Sequence, residues 1–124
     1  LAFLAAHFDT VEINSTFYRP PAAATARKWV ARVADNPRFR FTAKAWRRLT
    51  HERDAAFGRA DVAAVCEALD PLRDAGRLGA VLLQFPWSFK RDDASRHWLD
   101  DVTGALRDLP LAVEVRHASW DVPA

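Results

Sequence analysis

The sequence contains no methionine, one cysteine, one tyrosine and four glycines, and several of these scarcities close off a reading. A lone Cys66 cannot form an internal disulfide, so nothing marks an oxidising compartment. No strand-like segment is followed by a glycine-rich turn, which disfavours a dinucleotide-binding fold. No apolar run is long enough to cross a bilayer. Leu1 to Phe8 lacks a basic leader and a cleavage pattern, so no signal peptide is visible and a cytoplasmic location is expected. A large charge excess is missing too. The formal net charge is +2 and the isoelectric point about 9.1, which does not argue for nucleic acid without a basic patch. The absent initiator methionine, and an end at Ala124 just past a strand, lead to the expectation of a piece cut from a longer protein.

What is present is ordinary for a globular chain. The 124 residues are enough for one modest core. Half of them are hydrophobic and 27% are charged.

The pattern alternates between helix and strand. Leu1, Leu4 and Phe8 have helical spacing. Thr10 to Tyr18 opens as a strand in which Glu12 and Asn14 share one face. Arg19-Pro20-Pro21 breaks it and can open a helix striped by Ala22, Ala26, Trp29, Val30 and Val33. A second strand runs from Phe39 to Lys44. Trp46 to Phe57 reads as a long, polar, basic connection, a kind that is more often functional than a short link. A helix follows from about Asp61, with Val62, Val65, Cys66, Leu69 and Leu72 on one face; Pro71 is expected to kink or interrupt it and Gly76 to end it. Leu78 to Phe85 is the most apolar strand, as suits a central parallel strand covered on both faces. Asp92 or Asp93 caps a helix faced by Trp98, Leu99, Val102, Leu106 and Leu109. The last strand runs from Leu111 to Arg116.

This alternation predicts an α/β fold with parallel strands and right-handed crossovers. Four strands at roughly 30–40-residue spacing leave an open doubly wound sheet or about half of an eight-stranded barrel of ~250 residues. Polar residues on a repeated inward parity favour the barrel.

Four segments in order resemble the YecE-like family, the domain of unknown function numbered 72. They are Phe8-Asp9-Thr10-Val11-Glu12-Ile13-Asn14-Ser15-Thr16-Phe17-Tyr18; Phe39-Arg40-Phe41-Thr42-Ala43-Lys44 with Thr50-His51; Gly79-Ala80-Val81-Leu82-Leu83-Gln84-Phe85-Pro86; and Ala112-Val113-Glu114-Val115-Arg116-His117 with Ser119-Trp120. The resemblance implies a partial TIM barrel. Residues 1–124 would form a single partial domain without the family's first strand and most of its second half. It implies no catalytic assignment.

In such a barrel Glu12, Asn14, Lys44, Gln84, Glu114 and Arg116 converge at the C-terminal mouth, where barrel sites lie. Lys44 and Arg116 supply positive charge and bidentate donors. Asn14 and Gln84 orient hydroxyl or carbonyl groups. Glu12 and Glu114 are the candidate catalytic acid or base. His51 and His117 are expected to hydrogen-bond at the same mouth; no close-spaced motif marks a metal site, and no cofactor is indicated. The rival reading pairs Glu12 with Lys44 and Glu114 with Arg116 as structural ion pairs. Two carboxylates also raise glycosidic chemistry, which their separation decides. His7 and His97 read as surface or helix-packing histidines, and Cys66 as a packed thiol. Phe17, Tyr18, Phe85, Trp87 and Trp120 each follow a strand and are candidate pocket walls.

Two functions follow. One is an enzyme using acid–base chemistry on a small polar or anionic substrate. The other is a non-catalytic module binding a phosphorylated ligand or nucleic acid through Lys44, Arg47, Arg48, His51 and Arg53. Asp54 and Asp61 interrupt that patch, so a nucleic-acid partner is disfavoured. No membrane partner is expected, and a half-barrel alone is expected to self-associate.

Overall fold

A computed structural model describes residues 1–123; Ala124 and its place after the last strand lie outside the described residues. The helices are α1 (Ala2–His7), α2 (Ser15–Tyr18), α3 (Ala23–Arg32), α4 (Arg59–Asp74) and α5 (Asp93–Ala105). The strands are β1 (Thr10–Ile13), β2 (Arg40–Lys44), β3 (Leu78–Gln84) and β4 (Leu111–Glu114). Single 3-10 turns follow β2 (Arg47–Leu49) and β4 (Ala118–Trp120). All strand pairs are parallel and the sheet order is β1-β2-β3-β4. The strand order follows the chain, without the reversal that gives a doubly wound sheet its switch point.

Register decides which side chains share a face, because partners in a parallel pair point to the same side. Val11, Phe41 and Leu78 are partners, as are Ile13, Ala43 and Val81, and Leu83 with Val113. This face holds the core: Phe41, Ala43, Val81 and Leu83 are fully buried in one cluster with Ala26, Val65, Leu69, Leu72, Val102 and Leu106 from the helices. The other face carries Glu12, Thr42 and Ala80, then Lys44, Leu82 and Ala112, then Gln84 and Glu114. None of these residues is buried.

Local chemistry explains most boundaries. Asp92 caps α5, its side chain accepting a hydrogen bond from the Ser95 N–H at 2.7 Å. Gly76 ends α4 in the left-handed region at φ +69. The Gly76 N–H bonds the Arg73 carbonyl and the Arg77 N–H the Leu72 carbonyl, a Schellman closure. Gly79 is the extra residue where the β2–β3 register shifts. A Cβ there would stand 3.4 Å from the Phe41 carbonyl oxygen, so the bulge is tight against β2.

Several elements differ from expectation. β1 stops at Ile13; Asn14 is already helical at φ −91, ψ −26, and Ser15–Tyr18 form a helical turn rather than more strand. β4 stops at Glu114, which leaves Arg116 beyond the sheet. Pro20 and Pro21 precede α3 instead of opening it. α4 runs unbroken through Pro71 to Asp74, packed along α3 and against β3. In α1 the buried residue is Ala5, while Phe8 is 60% exposed. β3 lies between β2 and β4 but is covered on one face only among the described residues. Val81 and Leu83 are buried, whereas Leu82 and Gln84 are half-buried.

Candidate functional site

The C-terminal ends of the strands gather the polar side chains. Gln84 ends β3 and Glu114 ends β4 in matched register, so both point to the open face. The Gln84 Nε2 donates to Glu114 at 3.1 Å to Oε1 and 3.2 Å to Oε2. The Arg116 Nε, two residues on, reaches Glu114 Oε1 at 3.2 Å. The expected Glu114–Arg116 pair is therefore present, with both groups about half exposed. Exposed pairs of this kind contribute little stability, on the order of 0–1 kcal/mol.

Lys44 ends β2 on the same face and is half-buried. Its expected pair with Glu12 is not formed. Among the described residues, neither Lys44 nor Glu12 has an ion-pair partner. Glu12 is exposed on β1, at the opposite edge of the sheet from β4. Three strand spacings separate the two carboxylate-bearing strands, roughly 14 Å along the sheet. Asn14 is exposed, and its side chain caps nothing.

The Lys44 end of β2 is fixed from beneath. Thr16, buried on α2, donates to the Lys44 carbonyl at 2.6 Å and lies 3.0 Å from the Ile13 carbonyl. Its neighbour Phe17 meets the His51 ring edge-on at 4.9 Å. His51 stands in a turn whose Thr50, His51 and Glu52 N–H groups all bond the Arg47 carbonyl. Buried Thr50 places its hydroxyl 2.8 Å from His51 Nδ1. Partial burial, then the positive charges of Arg53, Arg47, Arg116 and Lys44, hold the His51 imidazole below its ordinary value. The charges of Lys44 at the end of β2, Arg47 and Arg53 in the connecting segment and Arg116 beyond β4 thus all act on His51.

The basic segment is not uniformly available. The Arg48 guanidinium is spent on the carbonyls of Glu52, Ala55 and Ala56 and lies 3.7 Å from Asp61. Arg47 pairs with Glu52 at 2.8 Å. Arg53 donates to the Thr50 carbonyl and lies 4.7 Å above the Phe89 ring. Trp46 and Phe57 pack against the core, Phe57 meeting Trp98 at 5.2 Å.

The aromatic residues divide in two. Phe85, Phe89 and Trp120 form a stacked column, and the Trp120 Nε1 donates to the Phe89 carbonyl at 2.7 Å. Tyr18 and Trp87 are more than 60% exposed. His117 lies 4.7 Å from Trp87; its Nδ1 accepts from the Ser119 N–H at 3.1 Å, which caps the last 3-10 turn, and is 2.9 Å from the Ser119 hydroxyl. His7 and His97 each bond a carbonyl four residues back on their own helices. Burial, followed by the charge of Asp70, raises the Cys66 thiol above its ordinary value, as befits a packed thiol. Among the described residues, no three His, Cys, Asp or Glu side chains gather as metal ligands.

Thr16, Thr50 and Ser119 also shape this end of the sheet. Thr16 and Thr50 act through burial, and Thr16 and Ser119 through contacts with distant segments, as when the Ser119 hydroxyl accepts from the Arg91 N–H at 2.8 Å. No local sequence signal carries that.

Comparisons with known proteins agree with this architecture. The chain is 32% identical to UPF0759 protein YunF of Bacillus subtilis (strain 168) and 33% identical to UPF0759 protein YecE of Escherichia coli (strain K12). Each match covers 94% of the chain, and 42% and 41% of the two relatives. The chain therefore spans less than half the length of these curated relatives. A DUF72 family crystal structure from Enterococcus faecalis V583 superposes with a TM-score of 0.87 at 28% identity, covering 98% of this chain and 49% of that one. Another, from Thermotoga maritima MSB8, gives 0.74 at 32% identity over 94% of this chain and 44% of that one. The family model described as "Protein of unknown function DUF72" matches residues 1–124, and the chain belongs to that family.

Proposed function

We propose that the four strands are part of a closed (β/α) barrel whose C-terminal mouth binds a small polar or anionic molecule and acts on it by acid–base chemistry. A sequential strand order, helices on one face and polar side chains on the other support the barrel. Residues 1–124 then form one partial domain of it.

The observation that carries the site is Lys44. It is half-buried on the open face, its charge acts on His51 as that of Arg116 does, and it has no carboxylate partner among the described residues. A partly desolvated cation without a counter-charge is unfavourable unless a ligand supplies one. Lys44 and Arg116 hold the anionic part of the ligand, with His51 beside them. Gln84 positions the Glu114 carboxylate, which takes up or returns a proton. Glu12 is the second candidate carboxylate. Asn14 and His117 line the rim.

The binding-module alternative is less well supported. Arg48, Trp46 and Phe57, on which phosphate or base contacts would draw, are engaged in the fold.

Binding of inorganic phosphate to the intact protein, followed by calorimetry, tests the site. Lys44→Met should weaken it about tenfold. With a substrate in hand, Glu114→Gln should abolish turnover while binding persists. If Arg47→Ala weakens binding and flattens its salt dependence while Lys44→Met leaves it intact, the mouth is not the site.

A further inference from the structure

The β3 and β4 side of the mouth carries a narrower reading, which rests on the proposed ligand site there. We infer that this side holds a sugar acid in its ring form. The Trp87 indole is the platform for the ring, and Gln84, Glu114 and His117 read its oxygens.

Trp87 is displayed by a rigid support. The Phe89 N–H bonds the Pro86 carbonyl at 3.0 Å, closing a turn with Trp87 and Ser88 at its tip. Beneath that turn, buried Phe85 and Phe89 stack at 4.0 Å, and Trp120 stacks on Phe89 at 5.2 Å. The Trp120 Nε1 holds the Phe89 carbonyl from below. His117 meets the indole at 62°, and the Lys90 Nζ lies 5.1 Å from its centroid. Trp87 is nonetheless 61% exposed. A large aromatic surface on a fixed turn loses little conformational freedom when a ligand covers it.

Hydrogen-bond polarity decides what the ring carries. The Gln84 Nε2 is committed to both Glu114 oxygens, so the Gln84 Oε1 is the free acceptor of that side chain. Arg116 takes Glu114 Oε1, and Oε2 keeps room to accept another bond. Two acceptors side by side suit neighbouring hydroxyl groups. Across from them, the Ser119 N–H donates to His117 Nδ1 at 3.1 Å. The neutral imidazole therefore carries its proton on Nε2, where it is a donor to a ring or hydroxyl oxygen. A pyranose combines such oxygens with an apolar C–H face, and the negative face of an indole attracts those hydrogens.

The spacing fits one small molecule. The Trp87–His117 and Gln84–Glu114 contacts bridge the same two strands. Trp87 lies three residues past Gln84, roughly 11 Å away at full extension. Lys44 is level with Leu82 on the neighbouring strand, two residues short of Gln84 on the same face. Their Cα atoms are then roughly 8 Å apart. Lys44, which has no carboxylate partner among the described residues, takes the single negative charge of the sugar acid.

Glucuronate and galacturonate are the probes. Gluconate is the control, because it carries a carboxylate and a row of hydroxyls but no ring. Binding to the intact protein is followed by NMR titration of the Trp87 indole signal, with inorganic phosphate titrated alongside. At least one uronate should bind about fivefold tighter than gluconate. Trp87→Ala should bring that uronate to the level of gluconate and leave gluconate and phosphate unchanged. The nitrogen shifts of His117 should show the proton on Nε2.

Uronates that bind no tighter than gluconate, or a preference that survives Trp87→Ala, overturn the ring platform. Tighter binding of benzoate than of either uronate overturns the sugar in favour of a flat aromatic ligand. A His117 proton on Nδ1 overturns its role as donor. Phosphate binding without uronate binding overturns this inference and leaves the anion site standing. Binding of none of these anions removes both.

Discussion

The imidazole of His51 is the residue on which charge and fold meet. Partial burial and four nearby cations disfavour its protonated form. The unfolded chain, in which its value is the ordinary 6.5, therefore binds a proton more readily than the native one. Its contribution to stability is full above pH 6.5 and is lost as pH falls through the lower folded value. Urea unfolding at pH 7.5 and at pH 5.5 measures this. The fall in stability should be smaller in His51→Gln than in the parent. An identical fall in both proteins would mean that other groups carry it.

The turns and caps at the scale of elements show how much was legible in the sequence. Gly76 was expected to end the helix before β3, and it does so because its φ of +69 suits a residue without Cβ. Space is not the constraint, since an added Cβ would meet nothing within 4 Å. Gly76→Ala should therefore destabilise by about 1 kcal/mol through backbone strain alone, read as a lowered urea midpoint with unchanged slope. The Asp92 cap was equally readable. Two features were not. The alternation of Val11 and Ile13 with Glu12 and Asn14 reads as a strand running on to Tyr18, but the buried Thr16 hydroxyl bonding the Lys44 carbonyl 28 residues away favours a helical turn there. The 46–57 connection reads as a solvent-facing basic loop. Its Arg48 instead satisfies three backbone carbonyls, a role set by the closed path of the chain rather than by charge pattern. Pro71 is the reverse case. The local rule predicts a kink or an interruption; the helix is not interrupted, and packing on α3 and β3 carries α4 past Pro71.

Across the whole molecule, the period-two pattern did most of the work. It put Glu12, Lys44, Gln84 and Glu114 on one face, and register confirms that they share it. It could not say which of them touch. Gln84 and Glu114 meet because their strands are adjacent and in step, whereas Glu12 and Lys44 form no pair. The same face carries half-buried Ala80 and Leu82, and on the core side Val113 is 42% exposed. Among the described residues, β1 and β4 have no outer neighbour, so each presents a row of free backbone donors and acceptors. A 124-residue polypeptide expressed alone should therefore associate through these edges. Sedimentation velocity over a hundredfold concentration range should show dimers or larger species growing with concentration. Lysine substitutions at Val113 and Ala112 on β4 should shift the distribution toward monomer, because a charged edge strand resists pairing. A stable monomer throughout, with the cooperative unfolding of a finished domain, would mean that the sheet is complete as it stands and would count against barrel closure.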